Sequence, residues 1–204
     1  MKILIAVPTY ENIMPDTFKS IYDLDKAGQE CVFDFVRGYD CATARNNIAQ
    51  EALNISADYV FMVDNDIVLP ADILVRMLED RKDVCLGYCP HRNAENLYSG
   101  KTNVFRLGEY NYTQQIHAVE LKALAENGIR KLQIHGGGMA CALINTDLFR
   151  RFEYPWFDWV NYQNREILSE DLYFCELCGK AGVPIYTDTM AGCGHLFRRV
   201  QWPV

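Results

Sequence analysis

No apolar run in this sequence approaches the roughly 18 residues that a membrane-crossing helix needs. The amino terminus also lacks an apolar leader with a cleavage signal, so a cytoplasmic protein with no transmembrane segment is expected. Positive charge is scarce, with 20 Lys and Arg against 27 Asp and Glu and a net charge of −7. That balance argues against general binding to nucleic acid or an anionic membrane, either of which needs a broad basic face. A local basic pair, Arg198-Arg199, follows close upon His195. Internal repeats and low-complexity tracts are missing as well.

What is present is an ordinary globular composition, 50% hydrophobic and 23% charged over 204 residues. Such a chain buries a sizeable core as one domain, 1–204, with no room for a second. Eight cysteines are dispersed through it, and beside a full-sized core they read as reduced thiols packed like small hydrophobes.

The most informative stretch runs from Tyr59 to Pro70. Tyr59-Val60-Phe61-Met62-Val63 is continuous, β-rich and too short for a helix, which predicts a strand covered on both faces. It ends in Asp64-Asn65-Asp66. In an open α/β sheet, ligands bind just beyond the carboxyl ends of the strands. Two acids one residue apart at that edge suggest a divalent cation, Mg²⁺ or Mn²⁺, which takes hard oxygen ligands and keeps positions open for phosphate oxygens. The alternative is that one Asp caps the next helix, which Pro70 is expected to open, while the other is solvated.

Around this stretch the pattern alternates. Strands are expected at Lys2–Val7, Cys31–Val36 and Val84–Tyr88, and helices after Pro15, after Asp40 and from Pro70 to about Asp80. Such alternation implies an α/β fold with a doubly wound, mostly parallel sheet flanked by helices. From Cys89 to about Gln115 the chain is polar and reads as long loops with a hairpin near Val104–Leu107. Further on, Gly136-Gly137-Gly138 interrupts extended structure, and Ser169 is placed to cap a helix from Glu170 to Ala181. A final strand at Ile185–Thr187 precedes a glycine-bearing loop, Met190–His195.

Three features recur in order: Asp64-Asn65-Asp66 after a strand, Ser169-Glu170-Asp171 opening a helix, and Gly194-His195 near the carboxyl terminus. Together with Val7-Pro8-Thr9-Tyr10, Ala44-Arg45-Asn46 and Gly137-Gly138-Met139, the set resembles family 2-like glycosyltransferases of the GT-A fold. The resemblance implies a nucleotide-sugar-binding half over about 1–88 and an acceptor-side half over about 89–204. It implies that Asp64 and Asp66 hold a nucleotide-diphosphate sugar through Mn²⁺ or Mg²⁺, and that His195 completes the metal site. It also implies that Pro8, Thr9, Tyr10, Glu11, Arg45 and Asn65 contact the donor, and that Gly137 and Gly138 lie on the acceptor side. Asp171, beside Glu170, matches the general base that takes a proton from an acceptor hydroxyl of a glycan, lipid or protein. A carboxylate base there suggests inversion at the sugar. The family's Asp-Asp-Gly-Ser stretch is replaced here by Arg37-Gly38-Tyr39-Asp40, so Asp40 stands in for the residues that contact the base.

Other readings accompany these. Trp156, with Phe157 and Trp159, offers area for the apolar face of an acceptor sugar or for a core. Gly192 and Gly194 would let a loop carrying His195 close over nucleotide. Cys175-x-x-Cys178 with Cys193 and His195 has zinc-site spacing, although the first pair falls within a helix. His135-Gly136-Gly137-Gly138 looks like an esterase oxyanion loop, but no Gly-x-Ser-x-Gly elbow accompanies it. The acids after an apolar strand also match a haloacid-dehalogenase-like phosphatase, whose later motifs are missing. A nucleotidyltransferase on a related fold and a nucleotide-sugar binder without turnover remain as alternatives.

Overall fold

The computed structural model describes residues 1–91, 100–108, 113–161 and 167–196. The Arg198-Arg199 pair and parts of the expected loop region lie outside the described residues. Strand β1 (Lys2–Thr9) is buried from Ile3 onward. Helix α1 (Pro15–Tyr22) begins with a proline, whose missing N–H would have had no partner in the first turn. After β2 (Glu30–Arg37) comes α2 (Cys41–Asn54), capped by Asp40, whose carboxylate accepts the Thr43 N–H at 3.1 Å. Strand β3 (Tyr59–Val63) is wholly buried, and a tight turn leads from it to β4 (Ile67–Val68), α3 (Ile73–Leu78) and β5 (Val84–Tyr88). The remaining elements are β6 (Lys101–Leu107), β7 (Thr113–His117), α4 (Ala118–Glu126), β8 (Lys131–Ile134), β9 (Gly136–Gly137), β10 (Cys141–Asn145), α5 (Asp147–Arg151), β11 (Val160–Asn161), β12 (Ile167–Leu168), α6 (Glu170–Lys180), β13 (Ile185–Gly192) and β14 (Gly194–His195).

The main sheet has seven strands in the order β2-β1-β3-β10-β5-β13-β8. Strand β1 pairs in parallel with β2 and β3, and β13 in parallel with β5. Strand β10 runs antiparallel between β3 and β5, and β8 antiparallel to β13. The sheet is thus mostly parallel, and β10 has a positional consequence. It enters from the carboxyl end of β3, pairing Cys141 with Val63, while the Asp64 N–H donates to the Ala140 carbonyl at 2.9 Å. Residues 136–140 are thereby delivered to the edge where Asp64 emerges.

Alternate side chains of the strands enter two core layers, as the period of two requires. Leu4, Ala6, Val60, Met62 and Leu86 join Ile48, Phe149 and Phe174 from α2, α5 and α6. Ile3, Ile5, Val7, Phe61 and Val63 face the other way, onto Ile21, Ile73, Leu74 and Met77 from α1 and α3. Helices therefore cover both faces.

Three local expectations are corrected. Pro70 does not open a helix; its carbonyl accepts from Ile73 N–H at 3.2 Å in a turn, and α3 starts at Ile73. Ser169 precedes α6, yet it makes no side-chain cap because its hydroxyl donates to Asp171 Oδ1 instead. Residues 190–195 extend β13 and form β14, which pairs with β4, rather than making an open loop.

At the far side of the sheet, Lys131 donates to Asp188 Oδ2 at 2.7 Å and to the Arg76 carbonyl at 2.8 Å, and the Asp188 side chain is fully buried. Removing one partner of such a pair strands a charge in the core. Lys131→Met is therefore expected to lower the unfolding free energy by about 3–5 kcal/mol in urea titrations, with much of the loss recovered in the Lys131→Met/Asp188→Leu double variant. Equal losses in the single and double variants would show that the charge itself is not the cause.

Candidate functional site

The turn after β3 sends three adjacent side chains in three directions. Asn65 Nδ2 donates to the Asn12 carbonyl at 2.9 Å and to Thr9 Oγ1 at 3.2 Å, and the Asn65 carbonyl accepts from Met14 N–H at 3.0 Å. Thr9 in turn donates to the Asn12 carbonyl at 2.8 Å. These bonds hold the 10–12 loop against the turn and shape a cleft of about 360 Å³ lined by that loop, Met14, Asn65, Asp66 and Leu196. Of the expected donor contacts, Tyr10, Glu11 and Asn65 share this cleft, and Tyr10 stands 70% exposed at it. Pro8 and Thr9 are buried beneath in β1. Asp40 lies outside the cleft lining. Its carboxylate is engaged by the Thr43 hydroxyl and N–H, hydrogen bonds that hold it below its ordinary value.

Arg45, expected to meet the donor, is instead buried at 3% exposure. Its Nη2 donates to Asp64 Oδ1 at 2.8 Å and its Nη1 to Glu170 Oε1. Burial alone would disfavour its charge, but Asp64, Glu170 and Asp171 outweigh that and raise its pKa further. Burial also pushes Asp64 and Glu170 above the usual carboxylate range, against the pull of the Arg45 charge. Asp171 is placed differently. Its Oδ1 accepts from Leu172 N–H at 2.8 Å and from the Ser169 hydroxyl, and a Cβ added to Gly138 would lie 3.3 Å from its Oδ2. Gly138 is thus a close approach to Asp171. Gly137 is corrected: it is buried, and a Cβ there would meet Leu86 and Val104 at 3.0 Å.

Asp66 and His195 face each other. His195 Nε2 lies 3.5 Å from Asp66 Oδ2, and Nδ1 lies 2.9 Å from the Pro90 carbonyl. A carbonyl can only accept, which assigns a proton to Nδ1 and directs the Nε2 side at the carboxylate. Two electron-rich atoms so close need a proton or a cation between them. The separation also suits two ligands of one ion with bonds of about 2.0–2.2 Å. Asp64 does not join them, because Arg45 holds it, and among the described residues no three His, Cys, Asp or Glu side chains form a ligand set. The three-ligand set expected from the sequence is thus not assembled among the described residues. Gly192 and Gly194 sit in close packing; a Cβ on the first would meet Tyr88 at 3.0 Å and on the second Val68 at 3.3 Å.

Trp156 is also corrected. It is 4% exposed, packs 5.3 Å from the Phe149 ring and donates its Nε1–H to the Phe152 carbonyl at 3.3 Å. Phe157 stacks on Phe174 at 5.0 Å, whereas Trp159 is half exposed. The zinc reading fails on topology, since Cys175 and Cys178 enter one core layer and Cys193 the other. Among the cysteines described there is no disulfide. A larger, more apolar cleft of about 740 Å³ runs along α6 and β8, and its lining includes none of Asp64, Asp66, Glu170 and Asp171.

Several residues that build the site carried no distinct signal. Asn103 donates to the Gly138 carbonyl at 3.0 Å and accepts from Cys89 N–H at 2.8 Å, bracing the strand beside Asp171 from within a stretch that reads as loop. Asn46, quoted only as part of a motif, accepts from the Trp156 and Phe157 N–H groups at 3.1 and 3.2 Å and donates to the Phe157 carbonyl at 2.7 Å.

No family model and no curated protein matches the sequence. Solved structures do. A197 from STIV superimposes with a TM-score of 0.62 at 17% identity, over 97% of this chain and 87% of that one. GalNAc-T7 with UDP, GalNAc and Mn²⁺ gives 0.61 at 9% identity, over 96% of this chain but only 44% of that one. A Drosophila β1,4-galactosyltransferase 7 mutant with manganese, UDP-Gal and xylobiose gives 0.53 at 15%, over 97% and 71%. Identities this low establish the fold, a GT-A-like α/β sheet flanked by helices.

The three bonds of Asn46 are the polar attachment of the 154–159 segment to α2. Asn46→Ala would leave two buried N–H groups and a carbonyl without their partner, and a loss of about 3 kcal/mol in urea unfolding is expected. A loss below about 1 kcal/mol would mean that the aromatic rings dock this segment by themselves.

Proposed function

We propose that the protein is a glycosyltransferase that moves a sugar from a nucleoside-diphosphate donor to an acceptor hydroxyl with Mn²⁺ or Mg²⁺, with inversion at the sugar. The observation that carries this reading is the opposition of Asp66 and His195 at 3.5 Å beside a polar cleft, with Asp171 near enough to Asp64 to act on its charge. The bound manganese and UDP of GalNAc-T7, and the manganese and UDP-Gal of the galactosyltransferase, support the same class of donor.

In this reading Tyr10 offers its exposed ring to the nucleobase, and Glu11 and Asn65 line the path of the nucleoside. Asp66 and His195 would hold the ion, which supplies positive charge against the departing diphosphate when bound. Two protein ligands suit a cation that fills its other positions with phosphate oxygens and water. Asp171 takes the proton of the acceptor hydroxyl. Its Oδ1 is occupied by Leu172 N–H and Ser169, so Oδ2, on the Gly138 side, is the atom presented to that proton. Attack by the resulting oxygen on the anomeric carbon breaks the bond to the diphosphate, and the face opposite the leaving group gives inversion.

A two-ligand site predicts that ion and nucleotide bind together. In thermal-shift measurements Mn²⁺ alone should move the transition little, UDP alone little, and both together by several degrees. Asp66→Asn and His195→Ala should each abolish the joint increment while leaving the unliganded transition in place. An increment that survives both changes would remove this pair from the donor site.

Asp171→Asn keeps shape and loses basicity. Transfer to an acceptor should fall by about a hundredfold or more, the scale of general base catalysis, with donor affinity nearly unchanged. If transfer persists in Asp171→Asn and fails in Glu170→Gln, the base is Glu170.

A further inference from the structure

Arg45 takes no part in the transfer described above, yet it is the most deeply buried cation beside the candidate site. Its two terminal nitrogens serve two carboxylates from distant parts of the chain, Asp64 after β3 and Glu170 at the start of α6. Each of those carboxylates is the direct or near neighbour of a residue given a chemical role: Asp64 lies two positions before Asp66, and Glu170 one before Asp171. A single carboxylate would have neutralised a buried guanidinium. Bridging two instead uses the fixed fork of arginine, which a lysine ammonium lacks. The third nitrogen, Nε, is buried without a hydrogen-bond partner, so the group is oriented for its two terminal contacts at the expense of the remaining one. Asn46, the next residue, anchors the 156–157 backbone, which fixes the first turns of α2 against the second half of the chain. Arg45 therefore sits on a rigid mount.

We infer that Arg45 is a positioning residue that sets the Asp66 side of the cleft in register with the Asp171 side by holding Asp64 and Glu170 together. The inference rests on the proposed glycosyltransferase reading for its catalytic consequence, but the linkage itself is a property of the fold. Donor binding depends on Asp66 and the 10–12 loop, whereas transfer needs the acceptor side in register with it. Loss of the bridge should accordingly lower turnover more than donor affinity.

The test is a double-variant cycle on Arg45→Lys and Glu170→Gln, read in two ways. In steady-state transfer, Arg45→Lys should lower kcat by about tenfold or more with the donor KM within about twofold, as misplacement of reacting groups does. The double variant should be no slower than the worse single one, since both cut the same link. In amide NMR spectra, Glu170→Gln should shift Asn65 and Asp66 in the wild-type background and leave them in place in the Arg45→Lys background. If Arg45→Lys does not fold, Asp64→Asn cuts the bridge at its more exposed end, and Glu170→Gln should then no longer reach Asp66. Wild-type kcat in a folded Arg45→Lys variant, additive losses in the cycle, or a Glu170→Gln shift at Asp66 that persists without the bridge would each overturn the linkage. Absence of any joint Mn²⁺ and UDP thermal shift in the wild type would instead overturn the functional reading, and the NMR cycle would still decide the role of Arg45.

Discussion

A guanidinium buried to 3% exposure constrains everything around it, because a cation taken out of water is tolerable only where anions meet it with good geometry. Arg45 meets this condition through Asp64 and Glu170, both partly or wholly withdrawn from solvent themselves. None of the three is stable in place alone: removing the cation strands two carboxylates whose protonation burial already favours. The geometry is consequently over-determined. Strand β3, helix α2 and helix α6 must each deliver one member to within hydrogen-bond reach, and the seven-stranded sheet between the two core layers is what allows them to do so.

The antiparallel strand β10 explains how Gly138 reaches the same place. A wholly parallel sheet would bring each new strand up from the opposite edge, far from Asp64. By running downward between β3 and β5, β10 begins at the edge where Asp64 emerges, so Gly138 arrives beside Asp171 and Ala140 closes a bond with Asp64. Gly138 fits that place because a methyl group there would crowd Asp171 and Asn103 at 3.3 and 3.4 Å.

Much of the fold was legible because its signals are local. The apolar run Tyr59–Val63 matches β3 residue for residue, Val84–Tyr88 matches β5, and Asp40 caps α2 as its position before a helical pattern suggested. The acids follow directly at the end of β3, as the sequence reads. What could not be read was the partnership that holds the buried cation. Arg45 and Glu170 are 125 residues apart, and nothing in either neighbourhood marks one as the counterion of the other. The reversal of β10 is equally silent, since a five-residue apolar strand carries no mark of its direction. Trp156 failed for a related reason: an aromatic-rich segment looks alike whether its rings face a ligand or a core, and here Asn46, distant in sequence, docks it inward. His195 lies 3.5 Å from Asp66, and the glycines near it pack closely against Tyr88 and Val68.

The Asp64-Asn65-Asp66 turn shows how three adjacent residues divide the work of one site. Asp64 turns its Oδ1 to Arg45. Asn65 points along the edge and fastens the 10–12 loop, which gives that side of the cleft a firm wall. Asp66 faces His195, whose ring is oriented by the Pro90 carbonyl, in the way that outer hydrogen bonds orient metal-bound histidines. The first acid faces the buried cation, and the second faces His195. On the proposed reading, the ion is therefore completed by what it carries: with two protein atoms in its shell, the phosphate oxygens of the donor supply coordination that the chain does not, and a cation without a donor has little to hold it.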